Sequence, residues 1–298
     1  MKRELSILIP VFNGVCTEMV AELGRQAEAI GNLSYEIIVA DDGSTDTATV
    51  GANQALNQQS HCLYIIRGVN SGRAVIRNFL AHQAHYEWLL FLDCDMTIGR
   101  SNFLQTYLES AAEEVVYGGY SVGEGAADNL RFVYEKAAEP SHTAEERQKH
   151  PYRDFHTANF MIRRDLMLAH PFDERFRHYG YEDVLLGKQL HKHGISIAHI
   201  DNPVGFCSFE DNPHFVSKTE EGLRTLYAFR TELRGYNGLL TLVDGIHISL
   251  VRSAIRLWHR LLGPVERRLL CGSHPNLTVF KIYKLGYFLS LTKNKLQL

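Results

Sequence analysis

Residues 36–46 read EIIVADDGSTD, a short apolar run that stops on a cluster of acids, glycine and hydroxyls. The same shape recurs on both sides of it. Upstream, the run Leu5 to Val11 ends at Asn13-Gly14. Downstream, Leu63 to Arg67 leads to Asn70-Ser71-Gly72-Arg73, and Trp88 to Leu92 leads to Asp93-Cys94-Asp95. Between the runs, Thr17 to Ile30 carries Met19, Val20, Leu23, Ala27 and Ile30 at helical spacing, and Ala74 to Ala84 repeats that period. Apolar runs of about five residues alternating with helices predict strands covered on both faces, hence a parallel sheet. The expected fold is α/β: a doubly wound, mainly parallel sheet with right-handed crossovers and a C-terminal helical extension.

Composition narrows the class. The chain has 298 residues, 45% hydrophobic and 22% charged, proportions of a folded globular protein. Five cysteines without CxxC spacing predict neither a disulfide framework nor a zinc site. The apolar run after the N-terminal MKRE is too short for a secretory signal and ends without a cleavage-type sequence, so a cytoplasmic protein is expected. A net charge of −3 offers no global field for nucleic acid. That charge is unevenly spread, however. Residues 250–298 hold nine Lys/Arg against one acid, Glu266, a net of +8 that leaves −11 on the remainder. Such asymmetry points to an acidic partner, here an anionic membrane surface on its inner face.

In doubly wound sheets, ligands bind outside the carboxyl ends of the strands. Four polar clusters stand at four such ends. At strand alternation Asp93 and Asp95 share a face while Cys94 points away, and two like charges side by side call for a cation such as Mg²⁺ between them. The Asp41 to Asp46 cluster suits a nucleoside: its carboxylates can accept from ribose hydroxyls or a base N–H, and Gly43 allows close approach. Equally, Ser44 or Thr45 could cap the following helix. Arg73, Arg77 and Asn78 open the helix after Gly72, an anion site fit for a diphosphate or simply a solvated face.

Taken together, Ile9-Pro10-Val11-Phe12-Asn13, the DDGSTD run, Asn70 to Asn78, and FLDCDM resemble the family 2 glycosyltransferases of the GT-A fold, the nucleotide-diphospho-sugar transferase type. The likeness extends through Tyr181-Glu182-Asp183 to about residue 215. It implies a nucleotide-binding half over 1–100 and an acceptor-binding half over 101–215, and residues 216–298 follow as a basic, amphipathic C-terminal helical region. Under it, Pro10, Val11 and Asn13 line the base and ribose pocket, Asp41 or Asp42 contacts the nucleoside, and Arg73 and Arg77 lie at the pyrophosphate. Asp93 touches ribose or metal, Asp95 ligates Mg²⁺ or Mn²⁺, and Asp183 is the general base, with Glu182 beside it. Asn159 and Tyr181 are the acceptor-side candidates. The implied reaction is inverting transfer of a hexosyl or N-acetylhexosaminyl group from a nucleoside-diphosphate sugar, UDP favoured, to a saccharide hydroxyl that is free or lipid-linked, as in polysaccharide biosynthesis.

One position departs from the family pattern. Phe206 stands where close relatives often carry a histidine metal ligand, leaving Asp95, phosphates and water, or a neighbour such as His214, to hold the ion. Two competing readings remain at this stage. A nucleotidyltransferase would want a glycine-rich basic loop after the first strand, which Pro10 to Asn13 is not. A non-catalytic glycan-binding module would have no use for Asp93, Asp95 and Asp183.

Three further features are weighed here. Tyr134, Tyr152 and Phe155 are candidates for stacking on sugars but are more readily core residues. The charged stretch Arg131 to Arg147, interrupted by Pro140, reads as a lid or insertion. His191 and His193 do not share a helical face and carry no functional reading. Last, residues 250–262 place Leu250, Val251, Ala254, Ile255, Leu257, Trp258, Leu261 and Leu262 on one helical arc and Arg252, Arg256, His259 and Arg260 on the other, the pattern of an interfacial helix or of a helix packed on the main domain.

Overall fold

The computed structural model describes residues 1–291. Lys293 and Lys295, part of the basic segment noted above, lie outside the described residues. The first four strands are β1 (Glu4–Val11), β2 (Ser34–Asp41), β3 (Cys62–Ile66) and β4 (Trp88–Leu92), in spatial order β3-β2-β1-β4 and mutually parallel. β5 (Met96–Thr97), β6 (Val115–Tyr117), β7 (Tyr120–Val122), β8 (Asn159–Arg163), β9 (Ile197–His199) and β10 (Val204–Phe206) follow. The main sheet has seven strands in the order β3-β2-β1-β4-β8-β6-β9, and β8 alone runs antiparallel to its neighbours. β5, β10 and β7 form a small second sheet.

Burial explains the unbroken apolar runs. Leu5, Ile7 and Ile9 of β1 pack with Val20 and Leu23 of the helix Thr17–Ala29 on one face of the sheet. Leu8 packs on the other, with Ile76 and Leu80 of the helix Arg73–Gln83. With both faces covered there is no solvent side on which polar residues would be favourable. Parallel register then aligns the strand ends, Val11 opposite Asp41 and Asp41 opposite Ile66, so the loops after β1, β2 and β4 emerge at one edge.

Beyond β10 the chain is helical: Asn212–Ala228, Gly238–Gly245, Ser249–Leu270 and Leu277–Ser290. The boundary expected at residue 215 falls inside the first of these helices. No break occurs there because Phe215 and Val216 join Leu130, Leu270, Phe280 and Tyr283 in one apolar cluster. The C-terminal helices are thus bound to the main body, and Tyr283 and Arg267 both bond the Glu220 carboxylate, at 2.6 and 2.8 Å. All five cysteines are free thiols. Among the described residues, no helix is long and apolar enough to cross a membrane.

Candidate functional site

A cleft of about 430 Å³ opens at the carboxyl edge of the sheet, lined among others by Arg73, Asp93, Asp95, His156, Glu182 and Asp183. Asp93 and Asp95 reach it by a tight turn between β4 and β5, closed by Met96 N–H donating to Asp93 carbonyl oxygen at 3.3 Å, rather than by the strand alternation expected. Cys94 points back toward Gly14, where an added Cβ would stand 2.9 Å from its Sγ. Burial, and then repulsion from Asp93, raise the Asp95 carboxyl above its usual range, with Arg73 opposing.

The opposite wall begins the helix Glu182–Lys192, entered through Gly180 (φ 95°) and Tyr181 (φ 70°) in the left-handed region. Both acids therefore stand in its first turn, where the helix dipole favours negative charge, and Asp183 Oδ1 accepts from the Val184 N–H at 2.8 Å. The second Asp183 oxygen lies 3.1 Å from His156 Nδ1. Burial pushes the Asp183 carboxyl up, but the His156 bond and charge outweigh it and hold the group below the usual carboxylate range. For His156 desolvation likewise opposes the charge, Asp183 outweighs it, and the imidazole is raised. The signs fix a window: this pair supports the fold between the lowered carboxyl value and the raised imidazole value, losing its contribution on either side.

A buried arginine ties the two walls. Arg77 donates to Asp93 Oδ1 at 2.6 Å and to Glu182 Oε1 at 3.3 Å, with its side chain only 2% exposed. It does not line the cleft, contrary to the expectation that it meets a pyrophosphate; one turn earlier, Arg73 does line it. Burial also pushes the Glu182 carboxyl up, and Asp183 adds to the rise against Arg77.

Three more expectations are corrected. Asn159 is fully buried, and its amide is taken up behind the site by the carbonyls of Gly119 and Asn202, with Tyr107 donating to it; it meets no acceptor. Val11 is buried beneath the strand end and offers no pocket wall. The carboxylates of Asp41 and Asp42 face the protein's own donors: Asp41 accepts from Ser44 N–H and Tyr64 hydroxyl, Asp42 from the N–H groups of Ser71 and Gly72 and from Arg67. These bonds shape the rim. Asn13 (φ 53°) clasps the same loop, accepting from the Thr45 and Asp46 N–H groups, while half-buried Pro10 precedes it. Gly43 (φ 76°) must be glycine, since a Cβ would stand 2.6 Å from the Val69 carbonyl carbon.

The far side of the cleft was less legible. Arg131, Tyr134, Glu135 and His142 line it from the Leu130–Ala138 helix and the turn after it, and Lys284 and Phe280 from the Leu277–Ser290 helix. Arg131 pairs with Glu135 at 2.8 Å, an i,i+4 spacing visible in the sequence. Tyr134 is a cleft residue, whereas Phe155 is core and Tyr152 stacks on His191. Lys284 sits 4.8 Å from the Tyr134 ring, and burial pushes its ammonium down to about 8. No local pattern marked His156 or Lys284.

A divalent cation fits this donor set in a limited way. Among the described residues no group of three His, Cys, Asp or Glu could hold one. Phe206 is buried against Arg131, whose guanidinium lies 5.0 Å from its ring, and exposed His214 does not line the cleft. What remains is a pair of crowded carboxylates, a site for an ion that brings phosphate oxygens with it.

Comparison with known proteins bears on the family and the fold. The model of the glycosyl transferase family 2 matches residues 6–169. Validoxylamine A glucosyltransferase of Streptomyces hygroscopicus subsp. jinggangensis is 29% identical over 226 residues, which cover 65% of this chain and 53% of that protein. Poly(ribitol-phosphate) beta-glucosyltransferase of Bacillus spizizenii is 36% identical over 107 residues, 35% of this chain and 17% of the relative. The chain thus spans about half, or less, of the length of these curated relatives. Among solved structures, a mannosyltransferase from Pyrobaculum calidifontis in complex with GDP-Man and Mn²⁺ shares the fold with a TM-score of 0.59 at 13% identity, covering 97% of this chain and 85% of that one. TarS of S. aureus aligns over 97% of this chain and 90% of its own, with a TM-score of 0.53 at 16% identity.

Proposed function

Because the chain belongs to glycosyl transferase family 2, we propose that its cleft transfers a sugar from a nucleoside-diphosphate sugar to an acceptor hydroxyl with inversion, the acceptor being a saccharide, free or lipid-linked. The observation that carries the reading is that Asp95 and Asp183 line one and the same cleft. Asp95, with Asp93 beside it, would hold Mg²⁺ or Mn²⁺, and such an ion would supply charge neutralisation on the departing diphosphate. Arg73 adds a guanidinium on the same wall. Asp183, kept ionised by His156, takes the proton from the attacking hydroxyl while Glu182 and Arg77 fix its distance from Asp93. The donor is expected to be a UDP-sugar.

A panel of nucleotide sugars tests this. Release of nucleoside diphosphate from one donor, stimulated by Mn²⁺ and abolished in Asp95→Asn, is the expected result. No turnover of any donor, with or without Mn²⁺, would leave the non-catalytic reading, and synthesis of a nucleotide sugar from a sugar phosphate would leave the nucleotidyltransferase.

The His156–Asp183 pair adds a pH signature. In His156→Ala the Asp183 carboxyl loses the contact that lowers it while burial still pushes it up. The acid limb of kcat/KM is therefore expected to move to higher pH, and His156→Gln, which can still donate, should move it less. An unchanged limb in both variants would remove His156 from the mechanism.

A further inference from the structure

The helix Ser249–Leu270 presents an apolar row to solvent, the reverse of an ordinary surface helix. Leu250 is 75% exposed, Leu257 57%, Leu261 66% and Trp258 51%, with Val265 and Leu269 continuing the row. Polar contacts tie it to its neighbours: Arg252 donates to the carbonyls of Val243 and Ile246, Arg256 to that of Leu289, and Arg267 to the Glu220 carboxylate. An apolar row along a helix this long is a larger exposed patch than a soluble monomer usually tolerates. Ile248 and Leu242, just before it, are exposed as well.

We propose that this face docks the protein on an anionic lipid surface, lying in the interface plane with Leu250, Leu257, Trp258 and Leu261 among the headgroups and upper acyl chains. Charge decides the occupant. Arg260 and Arg268 of this helix are exposed, and the one acid between residues 249 and 291, Glu266, is buried. Anionic headgroups complement such a rim. A second copy of the chain does not, since a twofold pairing of this face would set the same cations against each other. The helix beneath it, Leu277–Ser290, supplies Phe280 and Lys284 to the cleft, so docking brings the cleft within one helix layer of the membrane. The proposal stands independently of the chemistry assigned to that cleft.

Tryptophan emission reads the docking directly, because the chain has two tryptophans and the other, Trp88, is buried. Adding phosphatidylcholine vesicles that contain phosphatidylglycerol to the full chain should shift Trp258 emission to the blue and carry the protein into the vesicle pellet. Pure phosphatidylcholine should do so at least about tenfold less well, and added salt should weaken the effect. Leu257→Asp with Leu261→Asp replaces side chains that already face water, so melting should be unchanged while vesicle binding falls about tenfold or more. Absence of both the shift and pelleting overturns the proposal, as does equal binding to neutral vesicles. So does a dimer in sedimentation analysis that the double variant dissociates, with no vesicle binding, since that result assigns the face to a second copy.

Discussion

Asp183→Asn is expected to lower kcat by about 10²- to 10⁴-fold, a barrier increase of roughly 3–5 kcal/mol, with little change in nucleotide affinity. The substitution removes the basic oxygen and the charge that pairs with His156, and leaves the backbone contact in place. Asparagine keeps an oxygen for the Val184 N–H, and no apolar contact is lost. A carboxylate that only shaped the acceptor pocket would behave differently: its loss would raise KM for the acceptor and leave kcat at saturation largely intact. Titrating a nucleoside diphosphate into the variant separates damage to the donor wall from loss of the base, since Asp183 faces the acceptor in the proposed arrangement. A kcat within a few-fold of the parent protein would rule out the base assignment. It would also turn attention to His156, the nearest other group able to take a proton.

How far the sequence carried this reading depends on the residue. The runs at β1, β2 and β4 were legible because a strand covered on both faces has no polar alternation, and β1 through β4 lie within a residue or two of where those runs predict them. The reversal of β8 was not legible, because period and composition carry no direction. Strands of three residues such as β6, β7 and β10 are too short to show a period at all. At the site, the strand-end rule located the cleft edge but could not say which polar side chains face it. Asp41 and Asp42 follow β2 as a ligand-binding acid would, yet backbone N–H groups of their own loops reach them first. Asn159 shares that fate in the core. Arg73 and Arg77, one turn apart, diverge because only the first clears the packing of the helix Arg73–Gln83 on the sheet. His156 lies 27 residues from Asp183, and such a meeting is set by tertiary packing alone.

Arg77→Met should be the most destabilising of the site substitutions, by about 3–5 kcal/mol, because it leaves buried charge without a partner. The side chain sits between Asp93 and Glu182, and those carboxylates differ in access to water: the Asp93 side chain retains 20% of its exposure and Glu182 only 5%. Glu182 should therefore account for most of the loss, even though its contact is the longer at 3.3 Å. Stranded in the first turn of its helix, it gains something from the dipole, but not the equivalent of a guanidinium. Adding Glu182→Gln to Arg77→Met should then recover part of the stability, because a neutral amide is easier to bury than an unpaired carboxylate. Arg77→Lys should fall between, since one ammonium cannot serve both walls as the planar fork does. Urea denaturation of the four proteins measures all of this. A loss below about 1 kcal/mol for Arg77→Met, or no recovery in the double variant, would mean that Arg77 does not hold the walls of the cleft together.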